Sequence, residues 1–94
     1  MDIAKTQKIL EILSDLNRIK IIKELSGNKE ICACKLLKLV DCKQATLSHH
    51  MKLMVNEGIV NARKDGKWVH YSLNKKELRD VFKYIVSPLA QENK

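Results

Sequence analysis

Helix-period apolar spacing over most of the chain, one Asp-Gly hairpin signal at Asp65-Gly66 and a cationic cluster around it predict a mainly α domain with a single β-hairpin. The order read from these signals is α-α-α-α-β-β-α. A short helix, a tight break, a second helix and then a basic hairpin make a winged helix-turn-helix.

Each element has its own signal. Residues 3–16 carry Ile9, Leu10, Ile12, Leu13 and Leu16 at helical spacing. Asn17 suits the N-cap of a second helix through Ile19, Ile21, Ile22 and Leu25, which stops at Gly27. A third, short helix over about 33–40 points Leu36, Leu37 and Val40 inward, and Asp41-Cys42-Lys43 breaks it. A fourth covers about 44–56 and ends before Gly58. The period then changes to two. A wing over about 59–73 has one strand at 59–64, a tight turn, and a return strand from Trp68 to Leu73. Trp68 is expected to pack at the wing base and Tyr71 to join the core. Asn74 suits the cap of a last helix, 75–86, with Leu78, Val81, Phe82, Ile85 and Val86 as its stripe.

The 94 residues make one domain, 1–94, with no repeat and no linker. A core this small leaves room for extra stability from oligomerisation. No apolar run approaches the length of a membrane span, and the N-terminus lacks a signal-peptide core, so the expectation is a cytoplasmic protein with no membrane partner. No nucleophile–base–acid set, phosphate loop or paired carboxylates is present, which argues against an enzyme and an organic cofactor.

Charge is uneven. Between Lys43 and Lys76, seven basic side chains face two acidic ones, Glu57 and Asp65, and all three histidines lie in the same stretch. Such a field favours a polyanion. On the fourth helix, Leu47, Met51, Met54 and Val55 fall within about 100° of arc, the width of a core-facing stripe. The other side is small, polar and basic near its N-terminus, the end that meets base edges in a helix-turn-helix. Double-stranded DNA is therefore the expected partner. Gln44 suits paired hydrogen bonds to adenine, Thr46 and Ser48 suit a phosphate or base, and His49, His50 and Lys52 suit phosphate or guanine acceptors. Arg63, Lys64 and Lys67 flank the hairpin turn, where three cations would meet phosphate.

Three segments together resemble the ArsR/SmtB family of metal-responsive repressors: Ser14-Asp15-Leu16-Asn17-Arg18-Ile19-Lys20-Ile21, the helix Gln44-Ala45-Thr46-Leu47-Ser48-His49-His50-Met51, and the wing Arg63-Lys64-Asp65-Gly66-Lys67-Trp68-Val69-His70-Tyr71-Ser72-Leu73. The resemblance runs from about Leu13 to Leu73. It implies a homodimer paired through helices 3–16 and 75–86, two recognition helices on a pseudopalindromic operator, and release of that operator when metal binds.

Glu30-Ile31-Cys32-Ala33-Cys34-Lys35-Leu36 resembles the family's metal-binding box. It implies a soft metal or metalloid ion as effector, with Cys32 and Cys34 as ligands. In a regular helix, residues two apart point about 200° from each other, so convergence of these thiols requires an extended or frayed helix start. Binding is then expected to distort the third helix and misplace the reading face. Lys29, Lys35 and the helix N-terminus are expected to lower the thiol pKa values. The arsenic-sensing pattern carries a third cysteine three positions after the second, where this chain has Leu37. Cys42 is the remaining candidate ligand, but an intact helix sets it about 12 Å from Cys34. Thiol-redox sensing by the same cysteines, simple packing of small apolar side chains, and a metal-storage or interaction module that ignores DNA remain the alternatives.

Overall fold

The computed structural model describes residues 1–92, with side chains through Ser87. Helix α1 (Ile3–Ile12) starts at Asp2, whose carboxylate accepts from the Lys5 N–H at 2.7 Å. Helix α2 (Leu16–Ser26) starts at Asp15, which accepts from the Arg18 N–H at 3.1 Å. The expected single helix to residue 16 therefore ends at Ile12, and Asn17 lies inside α2. Asp15 takes the cap because its side chain reaches the N–H three residues on, an acceptor geometry that suits Asp as well as Asn.

Strand β1 (Ile31–Cys32) leads directly into α3 (Ala33–Leu39), and α4 (Gln44–Asn56) follows. Strands β2 (Val60–Asp65) and β3 (Trp68–Leu73) form the hairpin, and α5 (Lys75–Glu92) closes the described chain. The sheet is antiparallel with order β1-β3-β2. Period-two patterning revealed the hairpin but not β1, because two residues are too few to show a period. The hairpin turn rests on Gly66, at φ +63°, a conformation that favours glycine. Gly58, at φ +78°, ends α4 in the same way. Asn74 ties wing to helix: its amide donates to Gly58 O at 2.9 Å and its backbone N–H donates to Ile59 O at 2.8 Å.

One core holds these pieces. Ile9 from α1, Ile21 and Leu25 from α2, Leu36 from α3, Met51 and Met54 from α4 and Val81 from α5 are fully buried, with Ile59 and Val60 at the start of the wing. Each such side chain contributes about 1.5–3 kcal/mol on burial. The core therefore fixes the pose of α4 through Leu47, Met51 and Met54 and leaves its other face outside. Tyr71 packs against this core as expected.

Candidate nucleic-acid interface and thiol pair

On α4 the exposed residues are Gln44, Ala45, Thr46, Ser48, His49, Lys52 and Asn56. Gln44, Thr46, Ser48, His49 and Lys52 thus share the outer face, with Gln44 at the helix N-terminus.

His50 does not join them. It is 7% exposed and lies on the inward stripe with Leu47, Met51 and Met54. The spacing explains this: His50 is three residues after Leu47 and four before Met54, so one helical face carries all three. Its ring Nδ1 accepts a hydrogen bond from Arg18 Nε at 2.9 Å, and Arg18 Nη1 donates to Ile12 O at 3.0 Å. Asp15 Oδ2 lies 4.0 Å from His50 Nε2, beyond hydrogen-bond reach. Burial pushes the His50 pKa down, and the Arg18 and His49 charges add to this against the opposing pull of Asp15. His50 is a neutral tie between α4 and the α1–α2 corner.

On the wing, Lys64 and Lys67 are exposed and make no ion pair among the described residues. The Lys67 ammonium stands 5.4 Å over the Trp68 ring, which is 51% exposed. Trp68 is therefore a surface platform beside the turn rather than packing at the wing base. Arg63 departs from its neighbours: its Nη2 and Nε donate to the two carboxylate oxygens of Glu30 at 2.7 and 2.9 Å.

The thiols converge through the expected extended helix start, while α3 itself stays regular. Cys32 is the last residue of β1 and the N-cap of α3, with φ −68° and ψ 143°, while Cys34 lies in the first turn. The bend between them brings the sulfurs to 2.8 Å, with the Cys34 thiol donating to Cys32 Sγ. Cys32 Sγ also accepts from the Cys34 backbone N–H at 3.4 Å. The Cys34 thiol and this N–H hold the Cys32 pKa below the ordinary thiol value, helped by the Lys35 N–H and charge. The Cys34 pKa is raised, because its proton is held by Cys32 and a second anion beside the first is disfavoured. The expected lowering of both thiols therefore holds for Cys32 alone.

The Cys34 thiol opens into a cleft of about 340 Å³ that Gln44 and Ser48 of α4 and Lys67 and Trp68 of the wing also line. Cys42 is not brought to the pair as a third ligand: it packs half-buried against the core, and the described residues contain no cluster of three or more His, Cys, Asp or Glu able to hold an ion. Two soft thiolates fit a thiophilic ion, and among the described residues no third His, Cys, Asp or Glu completes a set with them.

A helix-turn-helix with an exposed polar reading face, a cationic wing and, in the cleft between them, Cys34 of the thiol pair defines a DNA-binding regulator. The chain belongs to the arsR family of bacterial regulatory proteins, whose family model matches residues 15–62. It is 43% identical over 85 residues to the arsenical resistance operon repressor of Staphylococcus aureus, covering 90% of this chain and 81% of that one. It is 40% identical over 81 residues to a cadmium resistance transcriptional regulatory protein CadC homolog of the same organism, covering 86% of this chain and 64% of that longer relative. The structure superposes on an ArsR-like transcriptional regulator from Rhodococcus sp. RHA1 with TM-score 0.78 at 21% identity, over 95% of this chain and 82% of that one, a likeness of fold. The family and these relatives are regulators, not enzymes. None of the described helices is long and apolar enough to cross a membrane.

Proposed function

We propose that this protein is a cytoplasmic dimeric repressor that leaves its operator when a soft metal or metalloid ion binds Cys32 and Cys34. The observation that carries this reading is the shared cleft: the Cys34 thiol opens beside Gln44, Ser48 and Lys67. An ion held there changes charge and shape inside the surface that would meet the duplex. It also acts on β1, whose Ile31 and Cys32 pair with Tyr71 and His70 of the wing strand β3. The ion thus has a path to both halves of the reading surface. The relatives' names, which concern arsenical and cadmium resistance, support an ion of that class.

In the proposed DNA contact, Gln44, Thr46, Ser48 and His49 face base edges while Lys52, Lys64 and Lys67 meet phosphate. The proposed dimer uses α1 and α5, where Ile3, Leu10, Phe82, Tyr84, Ile85 and Val86 stand exposed. Leu10 borders Tyr84 in one groove and Phe82 in another, so the two helices present a joint apolar surface. Two-fold pairing would set two copies of α4 about one duplex turn apart.

Fluorescence anisotropy with a duplex selected in vitro from random DNA tests the whole reading, with and without arsenite or Cd²⁺. Tight binding that weakens at least tenfold with one ion, and not in Cys32→Ser, is the expected result. Binding that is equal with each ion and in the variant refutes the sensor.

The direct contact of the Cys34 thiol with Cys32 Sγ also supports a second reading, in which oxidation of the pair is the switch. Peroxide treatment followed by non-reducing mass measurement decides it. Thiols still free in protein that has lost DNA would exclude oxidation.

A further inference from the structure

The sheet register puts Cys32, His70 and Arg63 in one cross-strand row, since Cys32 pairs with His70 and His70 with Arg63. Residues directly opposite on antiparallel strands share a face. Glu30, two residues before Cys32, reaches past β3 on that face to Arg63 on β2. Both of its carboxylate oxygens accept, at 2.7 and 2.9 Å, from two different nitrogens of one guanidinium. This forked contact uses the same paired N–H directions that a phosphate would need. The Arg63 guanidinium is drawn across the sheet toward β1, with Asp65 Oδ2 a looser second partner 4.0 Å from its Nη1, whereas Lys64 and Lys67 have no acidic partner among the described residues.

We propose that Glu30 is a positioning residue for DNA binding: it clamps Arg63 across β3 and withholds that guanidinium from phosphate. The wing then meets the duplex with Lys64 and Lys67, and Arg63 is a strut. The proposal rests on the reading of the wing as a DNA contact.

The test compares wild type with Glu30→Gln, Arg63→Ala and the charge-swapped double variant Glu30→Arg/Arg63→Glu. Affinity for a random-sequence duplex is measured over a salt series, with thermal melting to show that each variant is folded. Each phosphate neutralised adds about 0.9 to the slope of log affinity against log salt. Glu30→Gln is expected to bind more tightly at low salt with a slope steeper by about one, because Arg63 is released to phosphate. Arg63→Ala and the swap are expected to keep the wild-type slope. A structural loss would lower the melting temperature without steepening the slope. An unchanged slope in Glu30→Gln, or a slope flattened by about one in Arg63→Ala, overturns the clamp. If Glu30→Gln does not fold, the swap decides: a slope unlike that of wild type overturns the proposal. A wild type that ignores duplex DNA in dilute buffer removes the DNA reading itself, and this role for Glu30 with it.

Discussion

Arg18 donates from Nε to Nδ1 of His50 across 2.9 Å, joining the first turn of α2 to the middle of the helix whose other face is exposed for reading. The same guanidinium holds the carbonyl of Ile12 at the end of α1. One side chain therefore sets the recognition helix against the corner where α1 gives way to α2. It can do so only while His50 is neutral at Nδ1 and free to accept.

That requirement makes stability depend on pH. The folded-state pKa of His50 lies below the unfolded value, so the unfolded chain takes up the proton first as pH falls. The stabilisation is present above the unfolded value of about 6.5 and is lost on acidification below it. Asp15 also has a lowered pKa, mainly from the Arg18 backbone N–H, and its stabilisation disappears on acidification too, but in the carboxylate range. Urea unfolding between about pH 7.5 and pH 5.5 isolates the histidine from the carboxylate. The midpoint should fall with pH, and His50→Gln should flatten that fall. An identical pH dependence in the variant would show that His50 does not set it.

Core burial sets the cost of disturbing the scaffold. Leu36 is fully buried where α3 meets the rest of the core. Leu36→Ala should cost about 2–5 kcal/mol by chemical denaturation, from lost transfer energy plus the cavity left behind. A loss under about 1 kcal/mol would mean that α3 is not seated as described.

Base readers and phosphate contacts should separate experimentally. Lys64→Ala and Lys67→Ala are expected to weaken binding to all duplexes alike, each reducing the salt slope by about one. Gln44→Ala and His49→Ala are expected to relax sequence preference instead, by about 1–3 kcal/mol of discrimination at one base pair. Equal effects from the two sets, measured by anisotropy on selected and random duplexes, would refute the placement of α4 in the groove.

Ion binding and folding should also come apart at the thiol pair. Cys32 caps α3 with its sulfur, and serine is a good cap, so Cys32→Ser should change stability by no more than about 1 kcal/mol. The same change should abolish the thiolate-to-metal absorbance that appears when reduced protein is titrated with Cd²⁺, as should Cys34→Ser. A Cys32→Ser protein that still shows the full absorbance would place the ion elsewhere.

The elements were legible in the sequence wherever a local rule governs them. The α4 bounds follow from its apolar period and Gly58, the hairpin from Asp65-Gly66 (although Asp65 pairs with Trp68, so Gly66 and Lys67 make the turn), and the exposed polar face of α4 from the positions left over by its stripe. The cationic wing needed only composition and spacing. Chain order alone could not show which distant groups would meet. The pairing of β1 with β3, the contact of Glu30 with Arg63 and that of Arg18 with His50 join residues more than thirty positions apart, and no periodicity encodes them. His50 could have been placed inside by its spacing from Leu47 and Met54, yet its polarity pointed outward until Arg18 supplied a partner. Cys32 and Cys34 could be paired on paper only if the helix began between them. That start depends on Cys32 being held as a strand residue against His70, so tertiary pairing, not local propensity, brings the two sulfurs together.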